Sequence, residues 1–307
     1  MNKREIGQSG IFASELGLGC MSIGTDQSQA EAILKTALDE GITYFDTADL
    51  YDFGVNEQLV GKTLQPVRDQ IVIATKAGNR WTDNKDSWTW DASKAHIKEA
   101  VKHSLKRLGT DYIDLYQLHG GTLEDPMDDT IEAFEELKAE GLIRAYGISS
   151  IRPTVINEYV NRSHLSSVMM QYSILDRRPE VQALPILAEN GVSVVARGPV
   201  AFGLLTDKWR EKLSKASKKG LKWYDENSLK DVLTVLENEK PAGRTLNGLA
   251  FRYVLHHPAA AAVIAGASSI EQLKENARAV QEAALTEEEY KWIQDISKTA
   301  DYDEHRL

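Results

Sequence analysis

A chain of 307 residues with 42% hydrophobic and 27% charged residues has the composition of an ordinary folded protein, which excludes disorder as a description of the whole. Thirty-six Lys and Arg against 46 Asp and Glu leave a net charge of −10, which repels nucleic-acid phosphates and anionic membrane surfaces, so neither is an expected partner. The single cysteine, Cys20, excludes an intramolecular disulfide and any multi-cysteine zinc cluster.

Met1-Asn2-Lys3-Arg4-Glu5 lacks the apolar region of an export signal, and no window approaches ~18 uncharged apolar residues. The expectation is a cytoplasmic protein without a membrane span. Leu16 to Cys20 is the first of eight short apolar runs with strand character. It is followed by Thr43-Tyr44-Phe45, Ile71 to Ala74, Tyr112 to Leu118, Ala145 to Ile148, Ser167 to Met170, Val192 to Ala196 and Ala262-Val263-Ile264. Helical spacing lies between them. Ile97, Val101, Leu105 and Leu108 fall on one helical face, and Gly109 supplies the left-handed stop. Further on, Pro126 precedes a stripe of Ile131, Phe134 and Leu137 that ends at Gly141. Pro153 opens another helix, and Thr286-Glu287-Glu288-Glu289 reads as a capping box for a C-terminal one.

Apolar strands alternating with amphipathic helices predict an α/β fold with a parallel sheet covered by helices. An open dinucleotide-binding sheet should show G-x-G-x-x-G after an early strand, and Leu18-Gly19-Cys20-Met21-Ser22-Ile23-Gly24 does not supply it. Eight strand–helix pairs without that loop favour a closed (β/α)8 barrel, read as a single domain over residues 1–307. Two extra loops interrupt it, Gly78 to Trp90 after the third strand and Arg197 to about Glu226 after the seventh.

In such a barrel, chemistry sits at the carboxyl ends of the strands. Asp46, Tyr51, Lys76 and His119 fall just after apolar runs. Taken singly, they are a turn cap, a rim aromatic, a solvated strand end and a satisfied histidine. Together they form a device for carbonyl reduction. A Lys ammonium beside a phenol favours the phenolate and lowers its pKa from ~10, a carboxylate holds the ammonium, and a histidine donates to the same substrate oxygen.

The motifs carry a family resemblance. Asp46-Thr47-Ala48-Asp49-Leu50-Tyr51, Asn56-Glu57, Val60-Gly61, Thr75-Lys76 and Asp111 through His119 resemble the aldo-keto reductases. So do Gly147-Ile148-Ser149, Met170 through Arg177, Gly203-Leu204-Leu205-Thr206 and Ile264-Ala265-Gly266-Ala267-Ser268. The resemblance covers nearly the whole chain and is nearest to the bacterial NADPH-dependent branch with short substrate loops. It implies a TIM barrel that reduces aldehydes or ketones with NADPH, or with NADH, and needs no metal. It makes Tyr51 the general acid, Lys76 its neighbour, Asp46 the partner of Lys76, and His119 the group that orients the carbonyl. It also implies cofactor contacts from Cys20, Met21, Asp46, Ser149 and Gln171. The loop after the seventh strand adds Arg197, Gly198, Pro199, Val200, Gly203 and Leu204, and the adenine end adds Gly266, Ser268, Gln272, Glu275 and Asn276.

Three departures stand out. Ser149-Ser150 replaces the Ser-Asn of many relatives, and Arg197 replaces an aromatic that stacks on nicotinamide. A planar guanidinium can stack too, but its charge opposes the oxidised, cationic ring, which favours reduction. Ser268 and Gln272 stand where relatives place basic residues for the 2′-phosphate. Compensation is expected from seven basic residues, Lys208, Arg210, Lys212, Lys215, Lys218, Lys219 and Lys222, set against Asp207 and Glu211. Trp81, Trp88 and Trp90 in the first extra loop suit a substrate mouth. Competing readings are a cofactor-binding sensor or accessory subunit with little turnover, and a metal-dependent hydrolase using Asp46, Asp49 and His119. The early strand lacks the histidine cluster the hydrolase would need.

Overall fold

The computed structural model describes residues 1–216, 221 and 223–302. A hairpin of β1 (Lys3–Glu5) and β2 (Phe12–Ser14) precedes β3 (Leu16–Gly19), α1 (Gln27–Asp39), β4 (Tyr44–Asp46), α2 (Val55–Leu64) and β5 (Val72–Ala77). A second hairpin, β6 (Asn79–Trp81) and β7 (Trp88–Trp90), leads into α3 (Lys94–Leu108) and β8 (Ile113–Leu118). Then come α4 (Met127–Ala139), β9 (Ile143–Ser149), α5 (Pro153–Arg162), β10 (Ser167–Gln171), α6 (Ala183–Glu189) and β11 (Ser193–Arg197). After α7 (Trp209–Ala216) and α8 (Glu226–Glu239), the chain ends through α9 (Leu246–His256), β12 (Ala260–Gly266), α10 (Ile270–Ala279) and α11 (Glu287–Ile296).

Strands β3, β4, β5, β8, β9, β10, β11 and β12 close into a parallel barrel, with β12 returning to pair with β3. These are the eight runs expected from the sequence. The helix signals hold as well. Gly109 takes φ 63° and its N–H caps Leu105, and Thr286 and Glu289 form the reciprocal capping box. Gly61 has a packing reason, because a Cβ there would overlap the Leu108 carbonyl and push α2 off α3. No helix among the described residues is long and apolar enough to cross a membrane.

Two elements depart from the expected pattern. The first extra segment is a paired hairpin rather than a loop, with Asn79 opposite Trp90 and Trp81 opposite Trp88. The hairpin β1–β2 is absent from the strand–helix reading because its strands are three residues each, too short to show a period. It covers the starts of the barrel strands, where Arg4 donates to the Leu255 and Ala260 carbonyls and Gly7 N–H donates to Ser193 Oγ. Ile6, Ile11 and Ala13 thereby join the cluster that fills the barrel.

That cluster fixes which side chains reach the opposite mouth. Tyr44, Ala74, Leu115, Ala145, Met169, Val195 and Ile264 all belong to it. Side chains alternate across a strand, so residues two or four further along face the same interior. By that parity Asp46, Lys76, Gln117, His119, Ser149, Gln171, Arg197 and Gly266 share the carboxyl end of the barrel.

Candidate active site

The centre of the mouth is a buried ion pair. Lys76 and Asp46 are 1% and 4% exposed. Lys76 Nζ donates to Asp46 Oδ1 at 2.8 Å, to Asp46 Oδ2 at 2.7 Å and to the Thr47 carbonyl at 2.7 Å. Burial opposes the ammonium, but the Asp46 carboxylate and Tyr51 outweigh it and hold the Lys76 pKa above the ordinary lysine value. The Lys76 ammonium lies 5.2 Å from the Tyr51 ring centre, and the His119 ring stands 5.9 Å from it, edge to face.

Tyr51 is delivered by strained backbone. The turn after β4 carries Asp52 and Phe53 at φ 48° and 49°, followed by Gly54 at φ 86°. Left-handed conformations cost non-glycine residues about 1–2 kcal/mol each, so surrounding contacts must hold them. Asn56 and Glu57 supply that hold. Thr47 Oγ1 donates to Asn56 Oδ1 and Asn56 Nδ2 donates to the Cys20 carbonyl, while Glu57 accepts from Thr75 Oγ1 and Arg107 Nε. All four of Thr47, Asn56, Glu57 and Thr75 are fully buried.

The electrostatics correct one expectation. Lys76 does pull the Tyr51 pKa down, yet burial is the larger effect, and the phenol ends above its ordinary value in the free protein. His119 is driven the other way. Burial first, then Lys76 and Arg197, lower its pKa to about 3, so the ring is neutral and carries one donor and one acceptor nitrogen at pH 7. Its Nδ1 has no hydrogen-bond partner among the described residues. In the unfolded chain this histidine takes a proton near pH 6.5, while the folded protein resists it until about pH 3. Between those values the unfolded state binds more protons, so stability falls as pH drops through the window. Chemical denaturation of His119→Gln should show a flatter dependence of stability on pH there than the parent chain.

Beside His119 lies a cavity of about 200 Å³ lined by Gly120, Gly121, Ser149, Ser150, Ile151, Arg152, Met169 and Arg197. Ser149 and Gln171 face this side with spare hydrogen-bonding capacity, the Gln171 side chain meeting, among the described residues, only Arg197 Nη1 at 3.4 Å. After β11 the backbone turns sharply, with Gly198, Ala201, Phe202 and Gly203 all at positive φ. Pro199 and Leu204 are buried under the turn and Val200 is half-buried. Across the mouth, Met21 is 67% exposed beside buried Cys20.

At the far end Gln272 Oε1 accepts from both Ser268 N–H and Ser268 Oγ, so these two side chains occupy each other. Asn276 is buried against Asn247, whereas Glu275 and Gly266 are exposed. Of the basic segment, Lys218, Lys219, Lys222 and the Lys215 side chain lie outside the described residues. Arg210 is committed to Glu237 and stacks on Trp209. The three tryptophans share one face of the β6–β7 hairpin, since Trp81 stands opposite Trp88 and Trp90 follows two residues on. Trp81 packs edge-on against Phe53, and Trp88 is 51% exposed. Trp90 lies against Gly78 and Gly120 and donates its indole N–H to Asp125 Oδ1 at 2.8 Å. Among the described residues no three His, Cys, Asp or Glu side chains converge as a metal site.

Sequence reasoning passed over Gln117. It is fully buried beside His119 with neither amide atom partnered among the described residues, and strand parity was the signal that could have found it.

Comparison with known proteins bears on this arrangement. The model of the aldo/keto reductase family matches residues 15–298. The chain is 55% identical over 307 residues to the "Uncharacterized oxidoreductase YqkF" of Bacillus subtilis (strain 168), covering all of both chains. It is 31% identical over 305 residues to the "NADH-specific methylglyoxal reductase" of Escherichia coli (strain K12), covering 91% of this chain and 94% of the other. Among solved structures, it superposes with a TM-score of 0.94 on aldo-keto reductase AKR11C1 from Bacillus halodurans in its holo form, at 55% identity and complete coverage of both chains.

Proposed function

The chain belongs to the aldo/keto reductase family, an oxidoreductase family, and from that premise we propose that its barrel, read as one domain over residues 1–307, reduces the carbonyl of an aldehyde or ketone to an alcohol. Tyr51 is the proton donor in this reading. The observation that carries it is the convergence of Tyr51, the Lys76–Asp46 pair and neutral His119 at one mouth. A reduced nicotinamide, when bound, supplies the two electrons and the hydrogen that the carbonyl carbon takes up.

The residues of this chain do the rest. His119 donates one ring N–H to the carbonyl oxygen and so orients it, and the ring that does so is neutral because burial holds its pKa down. Tyr51 Oη transfers its proton to that oxygen as negative charge develops there. The phenolate left behind is stabilised by Lys76, and Asp46 keeps the ammonium charged and pointed at it.

A nicotinamide fits the mouth because Ser149 and Gln171 offer unfilled donors and acceptors there, while Arg197 presents a flat cationic wall. We place the carboxamide against Ser149 and Gln171, the ring against Arg197, and the rest of the cofactor along Cys20 and Met21, the turn from Gly198 to Leu204, and Gly266, Ser268, Gln272, Glu275 and Asn276. NADPH is the preferred form in this reading, a preference that rests on the family and not on Ser268 and Gln272, which are bonded to each other. Trp81, Trp88 and Trp90 border the substrate's approach, and the cytoplasm is the proposed location.

A panel of simple aldehydes assayed by NADPH oxidation, with and without a chelator, tests the reading. Turnover that is insensitive to the chelator is expected. Cofactor binding without turnover across the panel would favour a sensor. Arg197 carries a separate expectation. Replacing it by Tyr removes a positive charge from beside the ring, so the ratio of oxidised to reduced cofactor affinity should rise several-fold, as read by fluorescence titration. An unchanged ratio would remove Arg197 from the nicotinamide.

A further inference from the structure

Behind the turn that carries Tyr51, against α3 and β6, is a second cavity of about 220 Å³ that shares no lining residue with the one beside His119. Asp49, Asn79, His96 and Trp81 form its walls, and the exposed carboxylates Asp83 and Glu99 stand at its edge. Two polar atoms there are buried and unpartnered. Among the described residues, Asp49 is 2% exposed and its Oδ1 has no hydrogen-bond partner, and His96 is 7% exposed and its Nε2 has none either. Leaving such groups unsatisfied is unfavourable, and a ligand at this point would satisfy them.

Charge decides what kind of ligand. The two guanidinium groups on the lining are each bound to a carboxylate that is not part of it, Arg107 to Glu57 and Arg80 to Asp91. Asp49, Asp83 and Glu99 have no ion-pair partner among the described residues. Burial and the neighbouring Glu57 carboxylate push the Asp49 carboxyl well above its usual range, and the charges of Arg107 and Lys76 offset them only in part. Burial also lowers the His96 pKa, so the neutral ring can present Nε2 as an acceptor. The unmatched groups are therefore acidic or accepting. Since no three potential metal ligands converge among the described residues, the cation that suits them is organic.

We propose that this cavity binds a small primary alkylammonium, its head group donating to Asp49 Oδ1 and His96 Nε2 and its alkyl chain lying against Ala100 and Trp81, whose ring the Arg107 guanidinium also meets at 5.3 Å. The carboxylates of Asp83 and Glu99 draw the cation in. The site lies behind the turn and not in the barrel mouth, and the two share that turn: Asp49 N–H donates to the Lys76 carbonyl at 3.2 Å.

Calorimetric titration of the full chain with butylammonium tests this, with 1-butanol as the neutral isostere. Saturable one-to-one binding of butylammonium and none of butanol is expected. Asp49→Asn should weaken it at least tenfold. Glu99→Gln, on the exposed face of α3 where folding is not at risk, should weaken it several-fold. Saturating NADPH should leave the affinity unchanged. Absence of saturable binding, equal binding of butanol, full affinity in both variants, or displacement by NADPH would each overturn the proposal, the last by placing the amine in the barrel mouth.

Discussion

Tyr51→Phe should lower kcat for aldehyde reduction by about 100- to 10,000-fold while cofactor binding, read by tryptophan fluorescence, stays intact. The substitution removes one oxygen and keeps the ring that packs 5.9 Å from His119 and 5.2 Å from the Lys76 ammonium. Stability should therefore change little, and the loss can be assigned to the missing proton. The same group sets an alkaline limit. Burial, against the pull of Lys76, keeps the Tyr51 pKa above its ordinary value in the free protein. Hence kcat/KM should fall only as pH rises beyond ~10, where the donor is lost. A variant retaining more than a tenth of wild-type kcat would remove Tyr51 from the role of proton donor.

Lys76→Met should abolish turnover and also destabilise the fold by about 3–5 kcal/mol, measured by chemical denaturation. The three bonds from Nζ to Asp46 and Thr47 disappear, and a carboxylate only 4% exposed is left without a counter-charge. Much of the penalty belongs to that orphaned carboxylate. Lys76→Met combined with Asp46→Asn should therefore recover part of the stability and none of the activity. The sign with pH follows from the raised Lys76 pKa. The contribution of the ammonium is fully present below the unfolded value of 10.5 and is lost only as pH rises through the higher folded value. The deficit of the single variant should thus persist across neutral pH. A double variant no more stable than Lys76→Met would show that the ion pair is not what holds these strand ends.

Much of this protein is legible in local pattern. A strand that faces a packed interior shows its period over a few residues, and a helix shows its caps within one turn. The eight barrel strands, the Gly109 stop and the Thr286 capping box are of this kind, and each appears in the structure. Asp46, Lys76 and His119 were equally legible, because a polar residue ending an apolar strand has one place to go in a closed parallel barrel.

What tertiary structure alone decided depends on partners distant in the chain. Trp81, Trp88 and Trp90 share one face of the β6–β7 hairpin, but what they meet there, Phe53 against Trp81 and Asp125 bonded to Trp90, is set by residues distant in the chain. Asn56 and Glu57 were motif letters until Thr47, Cys20, Thr75 and Arg107 gave them partners that hold a strained turn. The sign of the Tyr51 shift was likewise invisible. The sequence names the Lys76 charge that lowers the pKa, whereas the burial that raises it further is a sum over neighbours that only folding assembles. The unpartnered atoms of Asp49 and His96 belong to the same class, since being unsatisfied is a property of surroundings and not of residue type.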